Sequence, residues 1–232
     1  KSKETIEVEI PSWRVDILHD IDLVEDVAIG YGFDKFDVSF PKALTFGGSL
    51  TKQSFYEGLR NIMIGLGFNE VTTFTISNDK DEFAKMSLAL GDRVQIANPI
   101  GEEYSNLRVS LLPSLLKILS ENRHHPLPQQ IFELGIVVNK NYKNQRNLAA
   151  LKIDAKASFT ECKSLLDAIM RDAGIKYEIK DKDNPGFVKG RCASVISDGK
   201  EIGFFGELHP KTISEFNLEH PIIAIEIQTD SL

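Results

Sequence analysis

Residues 130–138 read QIFELGIVV, a nearly continuous apolar run rich in β-branched and aromatic residues. Such a run predicts a strand buried inside a sheet. Five later runs also predict strands, at residues 147–154, 176–180, 184–196, 201–207 and 222–227. Asp198-Gly199 between two of them is a strong hairpin signal. Helical patterns interrupt the strands without a regular βαβ alternation, so we expect an α+β fold with a mainly antiparallel sheet flanked by helices.

Residues 111–122 show the clearest helical spacing, because Leu112, Leu115, Leu116 and Leu119 fall on one stripe. In the part of the chain after residue 48, further helices are predicted at residues 49–65, 79–90 and 158–173, the last with Gly174 as its stop. The β-branched run 68–76 and the shorter run 94–98 predict two more strands.

The composition is that of a globular domain and excludes several classes of function. The chain has 232 residues, 42% of them hydrophobic, and a formal net charge of −7, so the chain as a whole is not an electrostatic binder of DNA or RNA. We expect Cys162 and Cys192 to be small core residues in a reducing cytosol rather than a disulfide framework. No apolar run reaches the roughly 18 residues of a membrane span, so no membrane partner is expected.

Residues 41–49 contain Pro41, Gly47 and Gly48 and predict a domain boundary. Residues 1–45 form one predicted unit, with a half-buried strand at 4–10, and residues 46–232 form the other. Because the chain starts at Lys1, we expect a segment of a longer polypeptide whose first unit lacks its front half.

An acidic stretch lies at residues 11–31, PSWRVDILHDIDLVEDVAIGY. Asp22, Glu25 and Asp26 share one face of the helix predicted from Asp22 to about Gly30, and Asp16 arrives from the turn before. One explanation is a helix start in which Asp22 caps the helix and Glu25 completes a capping box, with Leu23, Val27, Ala28 and Ile29 on the buried side. The other explanation is a divalent cation held by these carboxylates.

The amino-acid sequence of several stretches resembles that of the beta subunit of phenylalanyl-tRNA synthetase. The matching stretches are PSWRVDI, DLVEDVAIGYGFDKF, NPIGEEYSNLRVSLLPSLL and GELHP, which occur in this order along the chain. The resemblance implies a magnesium ion shared with an alpha subunit, and residue by residue its ligands are Asp16, Asp22, Glu25 and Asp26. Asp26 departs from the family, where Glu is frequent. The short linkers are closer to the archaeal form of the family.

The same resemblance implies a class II aminoacyl-tRNA synthetase-like catalytic-core fold in residues 46–232, preceded by the tail of a small α/β domain. It also implies that this domain has lost the catalytic residues of the fold. Catalytic members carry an Arg for the ATP phosphate and a Glu at the end of the strand that corresponds to 130–138. These positions read Asn139 and Asn141 here. The closing helix with an ATP-binding Arg is also missing.

The implied function is that of the C-terminal part of a beta subunit in a cytoplasmic enzyme with two alpha and two beta subunits. This enzyme uses ATP to attach phenylalanine to its tRNA, with catalysis in the alpha subunit, and the present segment scaffolds alpha. Two alternatives stay open: a stand-alone synthetase-like regulatory protein and an independent ligase. Asn139 and Asn141 argue against the ligase.

Other residues with charged or titratable side chains have structural explanations. The pair Glu102 and Glu103 fits a solvated turn, and His124 and His125 fit a polar surface loop. Arg108 fits an ion pair or a phosphate contact. Arg191 in a Gly-Arg turn and His209 before a proline are also expected to be structural.

Overall fold

The computed structural model describes residues 6–40, 46–139 and 141–231, and for residue 231 it describes the backbone alone. The chain divides into two compact units, Lys1–Gly48 and Ser49–Leu232. The greater part of the predicted linker, residues 41–45, lies outside the described residues.

The first unit is built on helix α1, Asp20–Tyr31, followed by a 3-10 turn at Phe33–Lys35. Helix α1 ends at Gly32, whose φ of +101° suits a glycine. The helix begins two residues earlier than the sequence predicts. Its N-cap is His19, and Asp22 closes the capping box from the third helical position. The prediction that Asp22 is the cap and Glu25 closes the box is therefore wrong, although a capping box is present.

Two further predictions for the first unit are wrong. Residues 6–10 are exposed and form no strand, while residues 4 and 5 lie outside the described part. No residue of α1 is buried, and Val27 and Ile29 are 72% and 58% exposed. The physical reason is shared: a strand needs a neighbouring strand and an apolar helix face needs a packing partner. Residues 6–40 supply one helix and one turn.

The second unit contains a seven-stranded sheet, whose strands are β1 Asn69–Glu70, β4 Gln129–Val138, β5 Asn144–Ile153, β6 Glu178–Asp181, β7 Phe187–Ser197, β8 Lys200–Leu208 and β9 Ile222–Gln228. Their spatial order is β1-β4-β5-β9-β8-β7-β6. Strands β2 Ile76–Ser77 and β3 Asn106–Leu107 form a separate antiparallel pair. In the large sheet only β1 with β4 is parallel. The α+β fold with a mainly antiparallel sheet is therefore confirmed.

Helices cover both faces of this sheet. Helices α2 Gln53–Gly65 and α4 Phe159–Asp172 pack on one face, and α3 Leu112–Glu121 and α5 Pro210–Glu215 pack on the other. Alternate residues of strand β5 face the two sides of the sheet. Leu148 and Ala150 pack in the core beneath α2 and α4, and Ala149 and Leu151 pack in the core beneath α3 and α5. The predicted leucine stripe of α3 is buried throughout.

The segment between α2 and α3 differs most from its prediction. Helix α2 starts at Gln53 rather than at Ser49. Within 68–76 only Asn69–Glu70 and Ile76 are in strands, and 94–98 makes a single bridge from Gln95 to Asn106. The helix predicted at 79–90 is a π-helical turn at Lys80–Ala84. Short elements such as these follow tertiary contacts more than local propensity.

The hairpin signal at Asp198-Gly199 is confirmed. Both residues have positive φ values, 48° and 73°, between β7 and β8. This is the conformation that a tight two-residue hairpin needs, and Asp and Gly tolerate it well. Cys162 and Cys192 are free and buried, as expected for small core residues.

Candidate functional site

An acidic cluster in the first unit is organised around Arg14. The Arg14 Nε donates to Asp16 Oδ1 at 2.9 Å, and Nη2 donates to Asp16 Oδ2 at 2.8 Å. The same Nη2 also donates to Asp26 Oδ2 at 2.8 Å. One guanidinium nitrogen therefore joins two of the four predicted ligands. Both carboxylates remain open to solvent, since the side chains of Asp16 and Asp26 are 61% and 44% exposed.

Asp22, the third predicted ligand, points its carboxylate at the backbone. Its Oδ2 accepts from Leu18 N at 2.9 Å and from His19 N at 2.8 Å. These two backbone hydrogen bonds hold the pKa of Asp22 below its usual range. Asp22 therefore stabilises the start of α1, whereas Arg14 bonds Asp16 and Asp26.

Glu25, the fourth predicted ligand, is exposed on α1 one turn after Asp22. Within residues 6–40, 46–139 and 141–231, no group of three or more His, Cys, Asp or Glu side chains is arranged to hold a metal ion. The structure thus brings Asp16 and Asp26 together on Arg14 and leaves Asp22 and Glu25 outside that pair.

Arg14 also sets the electrostatics of the cluster. The hydrogen bonds from Arg14 lower the pKa of Asp16, and the carboxylates of Asp16 and Asp26 raise the pKa of Arg14 in return. A positively charged guanidinium therefore offsets the repulsion between the two carboxylates.

A second polar cluster lies in the other unit, on the sheet face that α3 covers. Its first part is an ion pair of Arg108 with Glu133, in which Nη2 donates to Oε1 at 2.8 Å. The two side chains are only 2% and 3% exposed. The rest of the guanidinium is also paired, with Nε on the Ile136 carbonyl and Nη1 on the Thr73 hydroxyl. Of the two explanations that the sequence allows for Arg108, an ion pair or a phosphate contact, the structure shows the ion pair.

The second part of this cluster is Glu226, whose side chain is buried. Its Oε2 accepts from the Ser110 hydroxyl at 2.5 Å, and its Oε1 accepts from Leu111 N at 3.0 Å and Asn147 Nδ2 at 2.8 Å. Three donors to one buried carboxylate satisfy it without an outside partner.

The third part is Glu82, in the π-helical turn. Its Oε2 accepts from Val109 N at 3.1 Å and Ser110 N at 3.3 Å, and its Oε1 is buried with no hydrogen-bond partner. Burial raises the pKa of Glu82 to about 7. Two buried carboxylates, Glu82 and Glu226, thus receive the three consecutive N–H groups that precede α3, where the helix dipole favours negative charge.

A cavity of about 300 Å³ opens above Glu226. Its lining includes Ser110, Asn147, Lys182 and Glu201. Two of these polar groups are already joined to Glu226, and Lys182 pairs with Glu201. The described polar side chains on this face therefore bind mainly one another and form a structural network.

Sequence reasoning missed Glu82, Glu133 and Glu226. A signal existed for two of them, because Glu133 in QIFELGIVV and Glu226 in IIAIEIQ are single acids inside apolar strands. An acid in such a position is buried and needs a partner. Glu82 has no comparable signal, since its surroundings NDKDEFAK are polar.

The strand end that the resemblance associates with ATP is a tight turn. Strands β4 and β5 pair up to Val138 with Asn144. The Asn139 side chain accepts from Asn141 N at 2.9 Å and from Lys143 N at 3.2 Å. Asn139 therefore stabilises its own turn, and Lys140 lies outside the described residues.

The remaining residues singled out from the sequence have structural positions. Arg191 pairs with Glu207, and His209 caps α5 by accepting from Lys211 N at 3.1 Å. Glu102 and Glu103 are exposed in a 3-10 turn. The expectation of exposed side chains also holds for His124 and His125.

Comparison with solved structures identifies the fold. A pyrrolysyl tRNA synthetase from Desulfitobacterium hafniense matches with a TM-score of 0.65 and 18% identity, over 78% of this chain and 67% of that one. At this identity the match shows the fold alone, which is the class II synthetase-like fold that the resemblance implies.

Comparison with protein families is more specific. Residues 37–229 match the family described as "Phenylalanyl tRNA synthetase beta chain CLM domain", and residues 1–33 match "tRNA synthetase B5 domain". The chain belongs to the phenylalanyl-tRNA synthetase beta chain family.

Curated relatives agree with this assignment. "Phenylalanine--tRNA ligase beta subunit" of Methanococcoides burtonii is 43% identical over 97% of this chain and 42% of its own length. The proteins of the same name from Archaeoglobus fulgidus and Methanocaldococcus jannaschii are 42% and 38% identical, each over 97% of this chain. The expected likeness to archaeal members is confirmed. The chain spans about two fifths of the length of these relatives, 41–42%.

Among the helices of the described residues, none has the length and apolar character that crossing a membrane requires.

Proposed function

We propose that this chain is the C-terminal part of the beta subunit of a cytoplasmic phenylalanine–tRNA ligase, in which it acts as a non-catalytic scaffold. The family match over residues 37–229 carries this proposal. In the complete enzyme, an alpha subunit attaches phenylalanine to its tRNA with ATP, and two alpha and two beta chains assemble. Residues 1–45 are the tail of a small cation-binding domain, and residues 46–232 are the catalytic-like domain.

The absence of catalysis is supported by two features of the second unit. Asn139 stands where catalytic members carry an ATP-binding Arg, and its side chain is occupied in its own turn. Two of the buried acids of the adjoining sheet face are also engaged, since Glu226 receives three donors and Glu133 pairs with Arg108. A face built in this way stabilises a domain and leaves few groups for a substrate.

We further propose that Asp16, Asp22, Glu25 and Asp26 help to bind Mg²⁺ at the boundary with the alpha subunit. The donor chemistry fits, because magnesium prefers hard oxygen ligands and is usually held by one or two carboxylates and several waters. Asp16 and Asp26 already converge on one cationic nitrogen and are solvent-accessible. Asp22 and Glu25 do not converge with them, so the alpha subunit has to supply further ligands or reposition these two acids.

The main experiment measures phenylalanine-dependent ATP–pyrophosphate exchange with this chain alone, with the alpha subunit alone, and with alpha and the complete beta chain. We expect no exchange from this chain alone and full exchange from the complete enzyme. Exchange by the chain alone would contradict a non-catalytic role.

A second experiment measures association of this chain with the alpha subunit by analytical ultracentrifugation, with Mg²⁺ or with EDTA. We expect Asp26→Asn to weaken the association in Mg²⁺. Asp37→Asn is the matched control, since it removes one exposed acid from the same unit. If the chain neither associates with alpha nor supports exchange, a stand-alone synthetase-like regulatory protein becomes the better explanation.

A further inference from the structure

We propose that residues 141–146, where the chain turns from β4 into β5, form a contact surface for RNA. In this surface Tyr142 stacks on an unpaired base, and neighbouring cations hold the phosphates. The inference rests on the proposed function, in which tRNA is a substrate of the complete enzyme, and it adds one place on this chain that the tRNA contacts.

The segment 141–146 differs in charge from the chain as a whole. The chain has a formal net charge of −7, whereas this segment reads NYKNQR, with Lys143 and Arg146 and no acid. Proteins bind unpaired RNA with cations along the backbone and with aromatic rings on which the bases stack. The segment carries both kinds of group within a few residues.

The turn presents the Tyr142 ring to solvent. The residue is 77% exposed, and its φ of +60° is uncommon for a residue other than glycine. Hydrogen bonds hold this conformation: Tyr142 N donates to the Asn139 carbonyl at 3.0 Å, and the Asn139 side chain accepts from Asn141 N and Lys143 N. A ring held open in this way adds nothing to the core and loses little freedom when a base stacks on it.

A cavity of about 410 Å³ lies beside this segment. Asn144, Gln145 and Arg146 line it, together with Lys52 at the start of α2. The Arg146 guanidinium lies over the Tyr56 ring, with its Cζ 4.7 Å from the ring centroid, and it forms no ion pair with an acid of the described residues. A guanidinium fixed on a ring in this way keeps N–H donors for a phosphate.

The negative charge at this cavity is small. Among the described residues that line it, Asp230 is the one acid. Asp230 accepts from the Tyr56 hydroxyl at 2.8 Å and from Arg146 N at 2.7 Å, and it lies 3.7 Å from Lys52 Nζ. Lys52, Arg146 and the exposed Lys143 therefore leave an excess of positive charge, which favours a polyanion. An acidic protein segment would also meet these cations, but the exposed ring favours RNA, because every base offers a flat face for stacking.

The test measures tRNA binding by the complete enzyme, assembled from alpha and the complete beta chain, with changes made at the positions numbered here. Tyr142→Ala should weaken tRNA binding about fivefold to a hundredfold, which is the range for loss of one base–aromatic stack. Tyr142→Phe is the conservative variant and should bind tRNA as the unmodified enzyme does, because it keeps the ring.

The salt dependence of binding tests the phosphate contact. Lys143→Gln should make the slope of log affinity against log salt shallower by about 0.7, the contribution of one contact to a single strand. Lys200→Gln is the matched control, since it removes one exposed lysine from the other hairpin turn, between β7 and β8, and should leave the slope unchanged. Sedimentation of each variant with alpha shows whether the enzyme still assembles.

A second measurement locates the contact directly. The tRNA is prepared with 4-thiouridine, crosslinked to the unmodified enzyme by ultraviolet light, and the crosslinked peptides are identified by mass spectrometry. We expect crosslinks within residues 141–146.

The outcomes separate this contact from the proposed function. If Tyr142→Ala and Lys143→Gln bind tRNA as the unmodified enzyme does, or if all crosslinks lie elsewhere, the RNA contact is wrong and the proposed function stands. If Lys200→Gln changes the slope as much as Lys143→Gln, the effect is general electrostatics and the contact is again wrong. If the variants lose assembly with alpha, the segment docks a protein instead. If the unmodified enzyme shows neither pyrophosphate exchange nor tRNA binding, the proposed function is overturned together with the contact.

Discussion

Replacing Glu82 by Gln should make the stability of the second unit less dependent on pH. Glu82 is buried, its Oε1 has no hydrogen-bond partner, and its pKa is raised to about 7 from the usual value of 4.5. The folded chain therefore holds a proton on Glu82 over a pH range in which the unfolded chain has lost it. Such a group contributes stability that is fully present below pH 4.5 and is lost as pH rises through 7.

The size of the effect follows from the shift. Each unit of pKa difference corresponds to about 1.4 kcal/mol, so Glu82 should reduce the free energy of unfolding by on the order of 3 kcal/mol between pH 4.5 and pH 8. Glutamine is close to the shape of protonated Glu and stays neutral. Its side-chain oxygen can still accept from Val109 N and Ser110 N, as Glu82 Oε2 does now. We expect Glu82→Gln to be nearly neutral at pH 5 and stabilising by about 2–3 kcal/mol at pH 8.

Urea unfolding monitored by circular dichroism at pH 5, 6, 7 and 8 measures this difference. Comparison of the variant with the unmodified chain at each pH cancels the contribution of titrating groups that do not interact with Glu82, which leaves Glu82 and the neighbouring Glu226. Glu133→Gln is the matched control, because Glu133 is equally buried but faces Arg108. That change should destabilise at every pH, since it leaves a buried guanidinium without its partner charge. If Glu82→Gln showed the same pH slope as the unmodified chain, or were less stable at pH 8, our explanation of Glu82 would be refuted.

Three further predictions concern stability and helix formation. Arg108→Met should cost about 3–5 kcal/mol of unfolding free energy, because Glu133 stays buried without its partner charge; urea unfolding measures this, and a loss below 1 kcal/mol would contradict it. Leu116→Ala should cost about 2–5 kcal/mol in the same assay, because Leu116 is fully buried beneath α3, whereas the exposed Ile179→Ala should change little. Asp22→Ala should reduce the helicity of α1, because Asp22 accepts from Leu18 N and His19 N; unchanged Cα chemical shifts across α1 would show that the cap is dispensable.

Much of the second unit could be predicted because its patterns are long and agree with one another. The runs that became β4 and β9 are apolar apart from single polar residues, β5 contains the apolar run LAAL, and the leucine stripe of α3 spans its whole length. A long run of apolar residues fits only one secondary-structure period, and that period identifies the face that must be buried. The Asp198-Gly199 turn was equally clear, since few dipeptides suit positive φ at both positions.

The segment between α2 and α3 could not be predicted from local pattern. FNEVTTFTI has the residues of a strand, yet most of it lies outside strands because only its ends pair with another strand. Thr73 in its middle pairs instead with Arg108 and Glu133. The conformation of this segment depends on polar partners far away in the sequence. A window of neighbouring residues does not contain that information.

The amino-acid pattern was enough to predict the α+β class, the principal strands and helices, and the family of the chain. It also indicated four acids as candidate ligands of a cation, and that site stays a prediction. Which carboxylates meet which partners became clear from the folded arrangement alone. Asp16 and Asp26 meet on Arg14, Asp22 turns to the start of α1, and Glu82 and Glu226 converge before α3. The reason is physical: strand and helix formation depend mainly on nearby residues, whereas the pairing of charges depends on which distant groups the folded chain places within hydrogen-bonding distance.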